Sequence, residues 1–130
     1  MASIPEDLRY TQEHEWARRD GKVVTIGITD HAQSELGDVV YVELPEPGEE
    51  VTHGEPFGTV ESTKAVSELF APITGRVTEV NDDLADSPEA VNDDPYGDGW
   101  MIRIEPADDG DVDRLMDADA YAAHVEEQEG

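Results

Sequence analysis

A short stretch near the middle of the chain constrains the fold most. Val60 and residues 66–70 are strand-like, and a polar tip of residues 61–65 lies between them. Two such runs with a short polar connection predict a β-hairpin. The connection contains neither Asn-Gly nor Asp-Gly, so we expect a type I turn opened by Ser or Thr. This hairpin presents Lys64 at its turn.

Short β-branched runs separated by Gly and Pro predict a mainly β fold outside this hairpin as well. The other strand candidates are residues 8–10, 15–18, 23–28, 38–44, 75–80 and 100–104. In the last of them Trp100, Ile102 and Ile104 should share one face, because strand side chains alternate. The expected architecture is a small flattened β-barrel or sandwich.

A short helix is predicted in the N-terminal half of the chain. Thr29 or Asp30 can cap it, Gln33 suits a capping-box partner for Asp30, and Gly37 can end it. Residues 86–99 are rich in Asp, Pro and Gly, and we expect them to form an ordered loop.

The C-terminal segment predicts a second, amphipathic helix at about residues 111–125, beginning near Asp111 or Asp113. The apolar residues at helical spacing are Leu115, Ala118, Ala122 and Val125. Residues 1–7 and 126–130 are expected to be loosely held. The whole chain, residues 1–130, is predicted to be a single domain whose core spans about residues 20–105.

The charge balance excludes several classes of partner. The chain has 33 acidic and 8 basic residues and a formal net charge of −25, so nucleic acid and anionic membranes should be repelled. It has no cysteine, which excludes disulfides and thiolate metal sites. No apolar run reaches about 18 residues, and the N-terminus lacks the features of a signal peptide. We therefore expect a cytoplasmic protein.

Lys64 is chemically unusual for this chain. Six of the eight basic residues are arginines, and only Lys22 and Lys64 are lysines. Arginine stays protonated, whereas a lysine amine can lose its proton and form an amide or an imine. The simpler alternative is a solvated turn lysine, which composition alone favours.

The residues around Lys64 resemble a lipoyl-attachment hairpin, through Glu61-Ser62-Thr63-Lys64-Ala65 and the later Pro72-Ile73-Thr74-Gly75. Several further segments, in the same order, resemble the H-protein family of the glycine cleavage system. They are residues 10–16, 26–33, 36–45 and 95–102. The resemblance covers about residues 8–125 and implies a barrel-sandwich hybrid, the fold of lipoyl domains, with added terminal segments.

The resemblance also implies a function. Lys64 would carry covalent lipoate, and the protein would be a non-catalytic carrier serving three enzymes: glycine decarboxylase, aminomethyltransferase and dihydrolipoyl dehydrogenase. Lipoate-attaching enzymes would be further partners. Biotin is a rival acyl group, but biotinyl hairpins usually flank the lysine with methionines, whereas Thr63 and Ala65 stand here. Two alternatives stay open: a lipoyl carrier or donor in lipoate assembly, and an unmodified interaction protein of lipoyl-like fold.

Three glutamates are candidates for a cleft that holds the loaded arm, as the resemblance implies. Glu15 matches the family's glutamate before tryptophan. Glu13 stands where the family can have serine, and Glu68 where it can have aspartate. A carboxylate near a protonated amine would stabilise the loaded arm electrostatically. The alternative for each glutamate is a solvated surface acid.

No metal site and no catalytic residue are predicted. His14, His31, His53 and His124 lack metal-ligand spacing, so we expect surface or packing roles for them. Residues 108–113 are rich in aspartate but lack the residue order and the distal glutamate of an EF-hand loop.

The net charge generates a prediction about salt. We expect the melting temperature to rise between low and molar KCl, because at about 1 M salt the screening length falls to about 3 Å and most self-repulsion disappears. This is the behaviour of a protein from a salt-rich cytoplasm. Calorimetry in a KCl series measures it, and a melting temperature that does not rise would contradict the hypothesis.

Overall fold

The computed structural model describes residues 4–108 and 110–129, in which the chain forms two antiparallel sheets. The strands are β1 Arg9–Tyr10, β2 Glu15–Asp20, β3 Val23–Ile28, β4 Val39–Glu43, β5 Glu50–Val51, β6 Pro56–Ser62, β7 Val66–Phe70, β8 Gly75–Val80 and β9 Ile102–Pro106. One sheet has the order β1-β2-β3-β9-β8-β5 and the other β4-β6-β7. The predicted mainly β, barrel-sandwich fold is confirmed as a sandwich of two sheets, which do not close into one barrel.

The helices are short except for the last. They are α1 Asp30–Leu36, α2 Asp83–Asp86, α3 Ala90–Asp93, a 3₁₀ turn at Val112–Arg114, and α4 Ala118–Glu129. The single-turn helix α3 forms within the predicted loop of residues 86–99, and α2 ends where that loop was expected to begin. Of the described helices, none combines the length and apolar character needed to cross a membrane.

Helix α1 begins and ends at the predicted residues. The Thr29 hydroxyl accepts a hydrogen bond from Ala32 N at 3.2 Å, so Thr29 rather than Asp30 is the cap. Gly37 ends the helix with φ 77°, a left-handed conformation that favours glycine. Gln33 Nε2 donates to Asp30 Oδ1 at 2.6 Å, which is a contact between side chains and not the predicted capping box.

Two hydrophobic clusters form the core. The first includes Val24 and Ile26 from the six-stranded sheet and Val60 and Leu69 from the three-stranded sheet, so it joins the two sheets. Burial of each such side chain contributes about 1.5–3 kcal/mol. Strand β3 is buried almost throughout, which explains its continuous β-branched sequence. Strand β8 alternates, with Val77 buried and Arg76 exposed.

The second cluster fastens α4 to the N-terminal strands. Tyr10 and Tyr121 stack with ring centroids 4.6 Å apart and planes 8° from parallel. Trp16 is fully buried beside them, and its indole N–H donates to Pro95 O at 2.9 Å. Gly27 leaves room for the indole, because a Cβ there would lie 2.9 Å from three ring atoms.

Two expectations near the C-terminus were wrong. Trp100 precedes β9 and packs on the second cluster, whereas Ile102 and Ile104 point into the first. The last helix begins at Ala118 and not near Asp111, because Met116 pairs with Tyr10 through two backbone hydrogen bonds of 2.8 and 3.0 Å. That pairing keeps the chain extended before the helix.

The expectations for the chain ends have mixed outcomes. Ile4 packs partly buried on the second cluster, so the predicted lead-in is held there, and residues 1–3 lie outside the described residues. Helix α4 runs to Glu129, beyond the predicted end, and Gly130 lies outside the described residues.

Candidate functional site

The tip of the β6–β7 hairpin holds Lys64 outward. Ser62 N donates to Ala65 O at 2.8 Å, and the Ser62 hydroxyl oxygen accepts from the backbone N–H groups of Lys64 (3.3 Å) and Ala65 (3.1 Å). Ser62 is the first residue of the turn, and its side chain stabilises the turn through these hydrogen bonds, as serine side chains often do. The Lys64 side chain is exposed at the end of this turn.

The connection between α1 and β4 supports the tip. Thr63 N donates to Asp38 O at 3.0 Å. The aliphatic stem of Lys64 passes Gly37 so closely that a Cβ on Gly37 would lie 3.5 Å from Lys64 Cε. The lysine is thus exposed, but its turn is fastened to the body of the protein.

A residue that the sequence analysis missed holds this connection in place. The Asn92 side chain, in α3, donates to Gly37 O at 2.8 Å and Gln33 Oε1 at 3.0 Å, and its oxygen accepts from Val39 N at 2.8 Å. All three bonds reach more than 50 residues back along the chain, so no local sequence signal predicts them.

A cleft of about 150 Å³ lies between α1, residues 13–15 and the hairpin. Glu13, Glu15 and Glu68 all line it, so the structure brings the three predicted glutamates together. Its apolar lining is Ile28, Ala32, Leu36, Val60 and Leu69. Because Leu36 is followed by Gly37, the cleft wall continues into the residue that the Lys64 stem contacts.

Glu15 differs from the other two glutamates because it is only 2% exposed. The Thr11 hydroxyl donates to one carboxyl oxygen at 2.6 Å, and Phe70 N donates to the other at 3.2 Å. Burial raises the pKa of Glu15 to about 7, against the opposing effect of these hydrogen bonds. Glu13 and Glu68 are exposed. Glu15 can therefore be neutral in the empty cleft and become an anion when a cation binds beside it.

Three of the four histidines meet beside this cleft, which the sequence analysis did not predict. The ring centroid of His14 lies 4.6 Å from that of His31 and 5.8 Å from that of His124. Burial, together with these two neighbours, lowers the pKa of His14. Within the described part of the chain, no group of three or more histidine or carboxylate side chains is placed to hold a metal ion.

A larger cavity of about 420 Å³ shares Glu13 and Glu15 with the cleft. It extends from there to His53, Arg114 and Met116. The described linings of both cavities lack Lys64 and turn residues 62–65. Only the smaller cleft includes Leu36, which precedes the Gly37 that the Lys64 stem contacts, so it is the cavity nearer to the lysine along the chain.

An exposed apolar surface lies next to Lys64 on the three-stranded sheet. Tyr41 is paired with Glu61, and Glu61 with Val66, so these three residues form one row across β4, β6 and β7. Cross-strand partners share a face of the sheet. Tyr41 is 49% exposed and Val66 66% exposed.

Comparison with known proteins identifies one family. The family model described as glycine cleavage H-protein matches residues 8–128. A glycine cleavage system H protein from Anaeromyxobacter sp. (strain K) is 69% identical over 126 residues, covering 97% of this chain and 98% of the relative. One from Myxococcus xanthus is 62% identical over 121 residues, or 93% of this chain and 94% of the relative. The crystal structure of a glycine cleavage system H protein from Mycobacterium marinum superposes with a TM-score of 0.87 at 43% identity, covering 95% of this chain and 99% of that one.

The buried carboxyl of Glu15 generates a prediction about pH. The unfolded chain ionises Glu15 near its ordinary pKa of 4.5, whereas the folded protein ionises it near about 7. The folded state therefore binds the proton more tightly, and stability from this group falls as pH rises from about 4.5 to about 7. Glu15→Gln has no titrating group at this position. Between pH 4.5 and about 7 the free energy of unfolding of the wild type should therefore fall by about 3 kcal/mol relative to that of the variant.

Urea denaturation in molar KCl at several pH values measures this difference. Glu68→Gln is the control, because it removes an exposed carboxylate from the same cleft. Its difference from the wild type should stay within about 0.5 kcal/mol over the same range. Parallel pH curves for Glu15→Gln and the wild type would show that Glu15 is not held protonated.

Proposed function

The chain belongs to the glycine cleavage H-protein family, and from this premise we propose that Lys64 is the residue that carries its lipoyl group. The protein is the lipoyl-carrying shuttle of glycine cleavage, between glycine decarboxylase, aminomethyltransferase and dihydrolipoyl dehydrogenase. When attached, lipoate supplies a cyclic disulfide that exchanges with thiols at the end of a flexible arm.

The geometry of the turn supports Lys64 as the attachment residue. An acylating enzyme needs a primary amine that it can surround, and Lys64 is exposed at the end of a hairpin. The bonds from Ser62 and Asp38 fix the backbone of this hairpin tip. A fixed backbone lowers the entropic cost of presenting the amine to an enzyme. Lys22, at the Asp20-Gly21 turn, is the other lysine of the chain.

We propose that the cleft receives the loaded arm. Its apolar lining suits an aliphatic chain, and the buried Glu15 suits an ammonium group. A cation next to Glu15 favours the ionised carboxylate and so pairs with it. Glu13 and Glu68, which are exposed on the same cleft, add negative potential at its mouth.

In this proposal the protein is a carrier and has no catalytic residue of its own. Its residues hold the arm, shield its end and present it to larger enzymes. The whole chain acts as one lipoyl-carrier domain, and lipoate-attaching enzymes are further partners. The cytoplasmic location stays a prediction from the sequence.

The surface formed by Tyr41, Glu61 and Val66 supports recognition of Lys64 by partners. Two exposed apolar side chains with a carboxylate between them favour a partner surface that combines apolar groups with a basic one. Val66 lies two residues from Lys64, so an enzyme that surrounds the Lys64 amine also comes close to this surface.

Lys64→Arg tests the attachment residue. Arginine keeps the charge and cannot be acylated in the same way, so the variant should fold as the wild type but take up no lipoate and support no glycine cleavage in a reconstituted assay. Lys22→Arg is the matched control and should keep full activity. Retained cleavage activity in Lys64→Arg, or its loss in Lys22→Arg alone, would contradict the proposal.

Val66→Ser tests the recognition surface. We expect the rate of aminomethyl loading by glycine decarboxylase to fall about fivefold at sub-saturating carrier, equivalent to roughly 1 kcal/mol of lost contact. Melting temperature should hardly change, because Val66 is mostly exposed. Ala120→Ser, an exposed apolar-to-serine change on α4, is the control. Equal loading rates for the two variants would rule out a special role for Val66.

A further inference from the structure

We propose that Tyr121 is a positioning residue of the arm cleft and holds two of its walls together. This inference rests on the proposed role of the cleft and adds the C-terminal helix to it. Tyr121 is fully buried and is not among the residues that line the cleft, so it acts through the residues it contacts.

The Tyr121 hydroxyl joins two parts of the cleft wall. Its oxygen lies 2.8 Å from His14 Nδ1 and 2.7 Å from Thr29 Oγ1. His14 lines the cleft directly. Thr29 caps α1, which supplies Ala32, Glu35 and Leu36 to another part of the lining. One hydroxyl from α4 thus connects the His14 segment with the start of α1.

The donors and acceptors along this connection balance. Ala32 N donates to Thr29 Oγ1, so the Thr29 proton is available to the Tyr121 oxygen, and the Tyr121 proton to His14 Nδ1. This arrangement requires a neutral His14 ring with Nδ1 as acceptor. The burial of the ring beside His31 and His124 favours that neutral form.

The backbone at His14 requires such support. His14 has φ 71°, a left-handed conformation that costs energy for any residue with a side chain. Its carbonyl accepts from Thr29 N at 3.0 Å, and its N–H donates to Thr11 O at 3.2 Å. Because His14 stands between Glu13 and Glu15, relaxation of this residue would displace both carboxylates that face the cleft.

The chain offers a matched control in Tyr10. Tyr10 and Tyr121 are both fully buried and stack on each other, but the Tyr10 hydroxyl donates to Pro5 O and contacts no residue of the cleft wall. Tyr121→Phe and Tyr10→Phe each remove one buried hydroxyl from the same aromatic pair. Only the first removes the connection between His14 and Thr29.

The experiment uses lipoylated full-length protein in molar KCl, loaded by glycine decarboxylase and then freed of the enzyme. Decay of the loaded form is followed by intact mass, amide exchange at Ala32 by NMR, and the His14 ring through its ¹⁵N shifts. In Tyr121→Phe we expect decay and Ala32 exchange to accelerate about tenfold and the Nδ1 shift to move. In Tyr10→Phe both rates should stay within about twofold of the wild type.

Equal decay and exchange rates in the two variants would overturn the proposal. Thr29, the partner of the Tyr121 hydroxyl, provides a second test. Thr29→Ser keeps a hydroxyl and should keep the slow decay of the loaded form, whereas Thr29→Val should decay faster. Equal decay rates in these two variants would also overturn the proposal. If the loaded form of the wild type decays as fast as a loaded but denatured carrier, the proposal that the arm docks in the cleft is contradicted. Ala32 exchange and the His14 shift then still decide whether Tyr121 fixes the wall.

Discussion

The hydrogen bonds of the hairpin tip are the constraint on which the rest of the account depends. A lysine on a loose loop would also be exposed, but its amine would sample many positions. Here the Ser62 side chain closes the turn, and Thr63 is bonded to Asp38 beyond α1. The tip is thereby tied to a connection that Asn92 fixes through three further bonds. The order of the tip comes from residues distant in sequence.

The same hairpin links Lys64, the proposed attachment residue, to the cleft. Residues from β6 and β7 form one part of the lining, α1 forms another, and Glu15 is buried between them. An arm on Lys64 therefore starts next to the end of α1 and has an apolar recess with a carboxyl group beside it. Such an arrangement favours an arm that rests on the protein between encounters with larger enzymes. The burial that raises the pKa of Glu15 lowers the stability of the folded protein above the ordinary pKa of a glutamate. The proposed docking of a cationic arm would explain why a carboxyl group is buried there.

Local sequence signals predicted most of the strands and the first helix. The features that they did not predict depend on contacts between residues distant in sequence. Strands β3, β7 and β8 were predicted at their observed bounds, because their β-branched runs end at turn residues. The exposed position of Lys64 was predicted from the hairpin pattern, whereas its lipoyl role and the three glutamates came from the resemblance. The shared cleft of the glutamates could not be derived from spacing. Asn92 and Tyr121 act on residues more than 50 positions away, so periodicity and capping rules give no sign of them. The start of α4 was misplaced because Met116 pairs with Tyr10, 106 residues apart in the chain, which no helical pattern reveals.

Peptide mapping by mass spectrometry of the protein purified from its native host tests the central claim most directly. The account predicts the mass of one lipoyl group on the peptide that contains Lys64 and an unmodified Lys22. A native protein whose Lys64 amine is free, or whose lipoyl group is on Lys22, would contradict it.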